Sequence, residues 1–254
     1  MELLPVFIKA WDIPDAWFQA VFKLLEVGFD YTIEHGSYVG QKRLEYDYIT
    51  VVIQEPQKRP FEPKLNPTIG IPDPVQPGYI DDYVPYLMTP AKQPNEDYTY
   101  GERLCSGWTY KKKVISMYTE VSTFVEKIFW ERSGVNQIEH FIELLRNTPN
   151  TNQAIMQVGE PTDCLLVDPP CLRHIDMRVK DGKLVFFIYF RSWDLWGGFP
   201  ANLGAIVLLQ EYMAAEIGID PGPFVCASKG LHLYKYVWEL AEVVRGKTMA
   251  ELRG

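Results

Sequence analysis

The run CLRHIDMRVKDGKLVFFIYFRS, residues 171–192, decides the fold. Asp181-Gly182 stands between two segments rich in β-branched and aromatic residues, the strongest short-range signature of a two-residue hairpin turn. The first arm, 171–179, reads as a strand. The second, 184–190, is apolar on both of its faces, so it is expected to be buried on both sides. A strand of that kind needs a layer on each side of its sheet. The expected architecture is therefore α/β (α+β in layer terms): a single domain over 1–254, with a largely buried mixed β-sheet and helices packed on it.

The flanking sequence supplies those helices. Downstream, Ile206, Leu209, Met213 and Ile217 share one face of a helix expected over 203–217, which Gly218 stops. A last helix is expected over 233–245. Upstream, 152–158 reads as a strand, preceded by an amphipathic helix that Ser133 would cap, with Val135, Ile138, Phe141, Ile142 and Leu145 on one face. That helix ends at 147–149. At the N-terminus a short strand is expected within 3–10. Asp12 and Pro14 then open a helix carrying Trp17, Val21, Leu24 and Leu25, stopped by Gly28. Residues 43–53 read as one strand. Ten prolines fall within 56–94, so that stretch is expected to be an irregular surface excursion, a plain loop or a lid or partner-binding arm.

Composition narrows the classes of function. Of 254 residues, 47% are apolar and 23% charged, which suits a globular protein with a real core. A formal net charge of -8 argues against a general nucleic-acid binder, and Lys111-Lys112-Lys113 reads as a solvated face. Four cysteines (Cys105, Cys164, Cys171, Cys226) lack metal-ligand spacing and are too few for a disulfide scaffold. A cytoplasmic protein without metal, membrane span or signal peptide is the expectation.

The chemistry-bearing residues gather between 168 and 234. Cys171 follows Pro169-Pro170, which fix two φ angles and remove two donors, so the thiol is held at a stiff strand entrance. A nucleophilic thiol needs a cation nearby. Arg191 ends the other arm of the hairpin, where pairing could bring it close. Arg191-Ser192 offers a guanidinium fork and a hydroxyl, a common phosphate pair, although Arg191 could instead pair with Asp194. Asn202 either caps the following helix or presents an amide that donates and accepts, as the edge of a uracil ring requires. His232 and Tyr234 share one side of an extended segment, as a buried pair or a clamp on a sugar hydroxyl.

Taken together, Pro-Pro-Cys171, Arg191-Ser192-x-Asp194, Gly198-x-Pro200-x-Asn202 and His232-x-Tyr234 resemble the thymidylate synthases, and the wording of the C-terminal half is most similar to the archaeal branch. The resemblance is strong over 134–245; before that, only Tyr100-Gly101 matches the family's Tyr-Gly. It implies that Cys171 adds to C6 of dUMP. C5 then takes a methylene group and a hydride from methylenetetrahydrofolate or methylenetetrahydromethanopterin, giving dTMP. It further implies that Arg191 and Ser192 hold the phosphate, Asn202 the uracil edge, and His232 and Tyr234 the 3′-hydroxyl. Asp194 would bond the cosubstrate's ring, Tyr100 would line the pocket near Cys171, and the protein would be a homodimer joined through sheet faces. There are departures. Asn152-Gln153 stands where the common pattern has Arg-Arg, leaving Lys42, Arg43 or Lys229 to replace two phosphate ligands. Leu172 and Gly230 replace a histidine and a carboxylate, and the general acid has no clear counterpart. A pyrimidine nucleotide hydroxymethylase of the same fold and a non-catalytic nucleotide-binding paralogue remain the alternatives.

Overall fold

The structure is a computed structural model that describes residues 2–118 and 124–254, with the backbone alone for 107–118 and 124–133. In chain order the elements are β1 (Pro5–Ala10), α1 (Ile13–Val27), β2 (Phe29–Thr32), β3 (Lys42–Glu45), β4 (Tyr48–Ile53), α2 (Tyr79–Met88), α3 (Tyr100–Cys105), β5 (Gly107–Tyr118), β6 (Phe124–Val135) and α4 (Gln137–Asn147). They continue with β7 (Ile155–Gln157), β8 (Leu172–Lys180), β9 (Lys183–Phe190), β10 (Trp193–Asp194), α5 (Gly198–Ile217), β11 (Asp220–Ser228), β12 (Leu231–Tyr234), α6 (Trp238–Arg245) and α7 (Met249–Arg253).

β8 and β9 form the expected hairpin, closed by Lys180↔Lys183. Asp181 (φ 52°) and Gly182 (φ 74°) both adopt the left-handed region that a two-residue turn of this hand requires. Around the hairpin runs a six-stranded sheet in the order β1-β4-β11-β9-β8-β7. β1–β4 and β11–β9 are parallel and the other pairs antiparallel, so the sheet is mixed. A second sheet runs β10-β12-β3-β2, and β5 and β6 pair with each other in a third. The Lys111-Lys112-Lys113 cluster lies outside the described side chains.

One face of the large sheet presents Ile8, Ile49, Val51, Ile53, Ile175, Met177, Phe186, Ile188, Phe224 and Cys226 to the core, together with α1 and α5. The opposite face is only partly covered. Phe7, Tyr48 and Phe187 are 66%, 40% and 38% exposed there. β9 is therefore buried on one face and only in part on the other, where Val185 is buried but Phe187 is not; its outward residues are as apolar as its inward ones, but among the described side chains no full layer is set against them.

α1 begins where Asp12 accepts from the Asp15 amide at 3.0 Å. α5 begins five residues sooner than its apolar spacing suggested, because Asp194 supplies a cap from outside the helix. The Asp194 carboxylate accepts from the amides of Trp196, Gly197 and Gly198 at 3.2, 3.1 and 2.9 Å. Asn202 consequently lies within the first turns of α5 and does not cap it. α4 is capped by Asn136, not by Ser133, which belongs to β6. α6 starts at Trp238 rather than 233, since 231–234 pairs as β12. The segment 43–53 splits into β3 and β4, which join different sheets.

The proline-rich stretch holds a helix. α2 carries Pro85 inside it and loses one hydrogen bond there, yet buries Ile80 and Leu87. Gly204 of α5 permits this packing: a Cβ there would stand 2.6 Å from Ile80 Cδ1 and 3.2 Å from Phe61 Cβ. Burial outweighs the poor helix propensity of the segment.

Candidate active site

The hairpin brings Cys171 and Arg191 together. The Arg191 amide donates to the Cys171 carbonyl at 2.8 Å. The Arg191 side chain turns back on the two residues before the cysteine: Nε donates to the Pro170 carbonyl at 3.2 Å and Nη2 to the Pro169 carbonyl. Arg173 Nη1 donates to the Pro170 carbonyl as well, at 3.3 Å. Two guanidiniums thus satisfy the carbonyls of the Pro-Pro turn and hold the thiol in place. Arg191 pairs with Asp168, at 3.1 Å, and not with Asp194. Asp168 also accepts from the Ser37 hydroxyl at 2.7 Å, which ties the 33–41 loop to the cavity rim.

Cys171, Arg191, Ser192 and Tyr234 line one cavity of about 660 Å³, together with Arg43 and His35. Burial raises the Cys171 thiol above its ordinary pKa. Arg191 is the largest opposing influence, followed on that side by Arg43 and Arg173, while Asp168 adds to the rise. The free thiol therefore rests protonated, with three cations placed to favour the thiolate.

Of the three cations that could replace the missing arginine pair, only Arg43 enters this cavity; Lys42 bonds Asp30 at the surface, 2.8 Å away. β3 pairs with β12 so that Arg43 stands opposite Tyr234. Its Nη1 makes a long 3.5 Å contact with the Ser192 hydroxyl, and its Nη2 meets the Tyr31 hydroxyl. Its Nε lies 2.8 Å from Glu45 Oε2, though the two are misaligned for a hydrogen bond. Glu45 is buried, and burial pushes its carboxyl up to about 7 against the pull of Arg43 and Lys229. The folded chain thus keeps a proton that an unfolded carboxyl near 4.5 has lost, so this group makes stability fall as pH rises from about 4.5 to about 7. Glu45→Gln is expected to flatten that slope by on the order of 1–2 kcal/mol. Urea denaturation at pH 5 and pH 8 checks it; parallel pH dependence in both proteins would refute it.

His232 and Tyr234 sit side by side on β12, rings 4.7 Å apart at 86°. Tyr234 faces the cavity, while His232 is buried beneath it. Burial lowers the imidazole to about 3, so the ring is neutral. His232 Nδ1 bonds the Gly230 carbonyl at 2.8 Å and must carry the proton. Nε2 is then a buried acceptor without a partner among the described residues.

Tyr100, Asn202 and Asp194 lie outside the cavity wall. The Tyr100 hydroxyl accepts from the Leu172 amide at 3.2 Å, next to the cysteine. Tyr83 and Tyr98 stand near enough for the thiolate charge to raise both phenols, after the larger effect of burial. Asn202 Oδ1 accepts from Trp193 Nε1 at 3.0 Å, and its side chain lies near enough to the Tyr83 phenol to lower that phenol's pKa against the larger effect of burial. Asp194 is committed to the α5 amides, and burial raises its pKa despite those bonds. Tyr83, Tyr98, Trp193, His35 and Glu45 were not readable as site residues from the sequence. The first two are tyrosines in or near a proline-rich stretch; Trp193 is the position left open in the Arg191-Ser192-x-Asp194 motif; and His35 and Glu45 come from the N-terminal third of the chain, more than a hundred residues before the cysteine.

The fold and site describe a class: an α/β protein whose cysteine, held on a sheet hairpin between arginines, faces a cavity suited to an anionic ligand. The sequence profile of the thymidylate synthase family matches residues 92–251, and the chain belongs to that family. Proteins from Methanosarcina acetivorans and Methanococcoides burtonii, whose thymidylate synthase names are themselves provisional, are each 28% identical over 243 residues, 94% of either chain. They place the chain with the archaeal-type branch. A thymidylate synthase of Listeria monocytogenes is 34% identical over 101 residues, 39% of this chain and 32% of that one. The family uses dUMP and a folate-type cosubstrate. Among the described residues no group of three or more metal-ligating side chains occurs, and no helix is long and apolar enough to cross a membrane.

Proposed function

We propose that this chain is a thymidylate synthase, a methyltransferase that converts dUMP to dTMP. The observation that carries the reading is the convergence of Cys171 with Arg191, Arg43 and Ser192 on one cavity. Arg191, Arg43 and Ser192 hold the phosphate, with Arg43 standing in for the absent arginine pair. The unpartnered His232 Nε2 accepts the 3′-hydroxyl beside Tyr234. Asn202 reads the uracil edge. Cys171, activated by the surrounding guanidiniums as its proton leaves, adds to C6 and makes C5 a carbon nucleophile.

The cosubstrate, methylenetetrahydrofolate or its methanopterin counterpart, supplies the methylene carbon and the hydride. A depression lined by Tyr83, Tyr86, Glu96, Tyr98, Thr99 and Tyr100 fits a flat ring stacked on phenols, on the Tyr100 side of Cys171. Asp194 would accept a hydrogen bond from that ring. The test is conversion of dUMP to dTMP with each carrier in turn; turnover with neither would move the hydroxymethylase and non-catalytic readings ahead.

The exposed face of the large sheet is assigned to a homodimer, since Phe7, Tyr48 and Phe187 are there without cover. Sedimentation should give twice the chain mass at micromolar concentration; a monomer alone would remove this assignment. Cytoplasmic location is proposed from the four cysteines, all of them free.

A further inference from the structure

A carboxamide turned through 180° exchanges its acceptor and its donor, so Asn202 alone could read either of two opposite edges. One neighbour removes that freedom. The Trp193 indole N–H can only donate, and it meets Asn202 Oδ1 at 3.0 Å. With the oxygen so committed, Nδ2 carries the donors of the amide, on the opposite side from the oxygen. A lone pair on Oδ1 and the N–H donors of Nδ2 remain, an acceptor beside a donor.

Trp193 cannot turn away. It is buried, its ring is stacked on Phe190 at 3.9 Å and 8°, and it leans on Phe199 at 4.6 Å. Its amide donates to the Gly230 carbonyl at 2.9 Å, fixing β10 beside β12. The direction of the Asn202 amide is therefore set by the core and not by the ligand.

We propose that Trp193 is a specificity-determining positioning residue: its N–H holds Asn202 in the orientation that accepts from N3–H and donates to a C4 oxygen of a pyrimidine. A ring with a lone pair on N3 and an amino group on C4 meets acceptor with acceptor and donor with donor. Reversing the amide would strip the buried indole N–H of its partner, which is the barrier to accepting the wrong base. This inference rests on the base-reading role given to Asn202 above.

The experiment measures the dissociation constants of dUMP and dCMP, without cosubstrate, for wild type, Trp193→Phe and Asn202→Asp. A fourth protein carries β-benzothienylalanine at 193, which keeps the fused ring and lacks only the N–H. The preference for dUMP is expected to fall about tenfold in both position-193 proteins, the size of one hydrogen bond. Asn202→Asp should shift the preference toward dCMP. If the benzothienyl protein keeps the wild-type preference while Asn202→Asp shifts it, the inference is overturned and the role of Asn202 stands. If Asn202→Asp also leaves the preference unmoved, or wild type binds neither nucleotide, the base-reading role itself falls and this inference with it.

Discussion

Cys171→Ala abolishes covalent capture of 5-fluoro-dUMP and lowers turnover on the order of 10⁴-fold or more, the loss expected when a nucleophile that forms a covalent intermediate is removed. Fluorine at C5 cannot leave as a proton would, so a working site stalls with nucleotide and methylene carrier both attached. Intact mass of the wild-type chain should show that gain, and Cys171→Ala should not. Burial raises the thiol pKa, with Arg191 the largest influence against it. Adduct formation should therefore accelerate with pH through the neutral range and beyond. A control is available within the same cavity, because Cys164 lines it too and is exposed. Cys164→Ala should leave the adduct intact. An adduct that persists in Cys171→Ala, or maps to Cys164, would end the assignment of the nucleophile. No adduct with folate in the wild type would first call for the methanopterin carrier.

What could be read along the chain, and what could not, follows from the range of the forces involved. The hairpin was legible because Asp181-Gly182 is a local solution to a local problem. α1 was legible because a cap, an apolar stripe and a stop lie within one short run. β11 was missed altogether: Pro221, Gly222 and Pro223 argue against a strand, least of all one between two others. The structure accommodates them with a register shift between Pro221 and Phe224. The Gly222 carbonyl left over takes the side-chain amides of Gln57 and Gln210 at 2.6 and 3.2 Å. Neither glutamine is near it in sequence terms that a reader could use. α2 was hidden for a similar reason, since its stability comes from Gly204 on a helix more than a hundred residues away. In the site, Cys171 and Arg191 could be joined on paper because one hairpin holds both. Arg43 could be named only as one of three cations, since its place depends on β3 lying against β12.

Arg103→Met is expected to destabilise the fold by about 3–5 kcal/mol, the range for breaking a buried ion network by removing one partner. Arg103 of α3 is buried, with Nη2 donating to Asp163 Oδ1 at 2.9 Å and Nη1 2.6 Å from Glu160 Oε2. The latter contact is close but poorly aligned for a hydrogen bond. Asp163 is 2% exposed and also pairs with Arg173 Nη1 at 3.0 Å. Arg173 in turn holds the Pro170 carbonyl, one residue before the cysteine. Methionine matches much of the stem's volume, so the loss is one of charge and hydrogen bonds rather than packing. Asp163, 2% exposed, would then be left with Arg173 as its cation, and Glu160 would lose the guanidinium beside it. The melting temperature should drop on the order of 10 °C. Adding Asp163→Asn should recover a good part of it, because the penalty lies in the stranded charge and not in the missing bond. A single-variant loss below about 1 kcal/mol would mean that water reaches Asp163 and that the network is worth no more than a surface pair. If instead the loss is large and the double variant recovers nothing, Arg103 acts through the loop at 160–165 that it pins beneath the cavity. Residual activity separates the two cases. A stranded charge leaves the KM for dUMP near its wild-type value in the molecules still folded, whereas a displaced loop raises it.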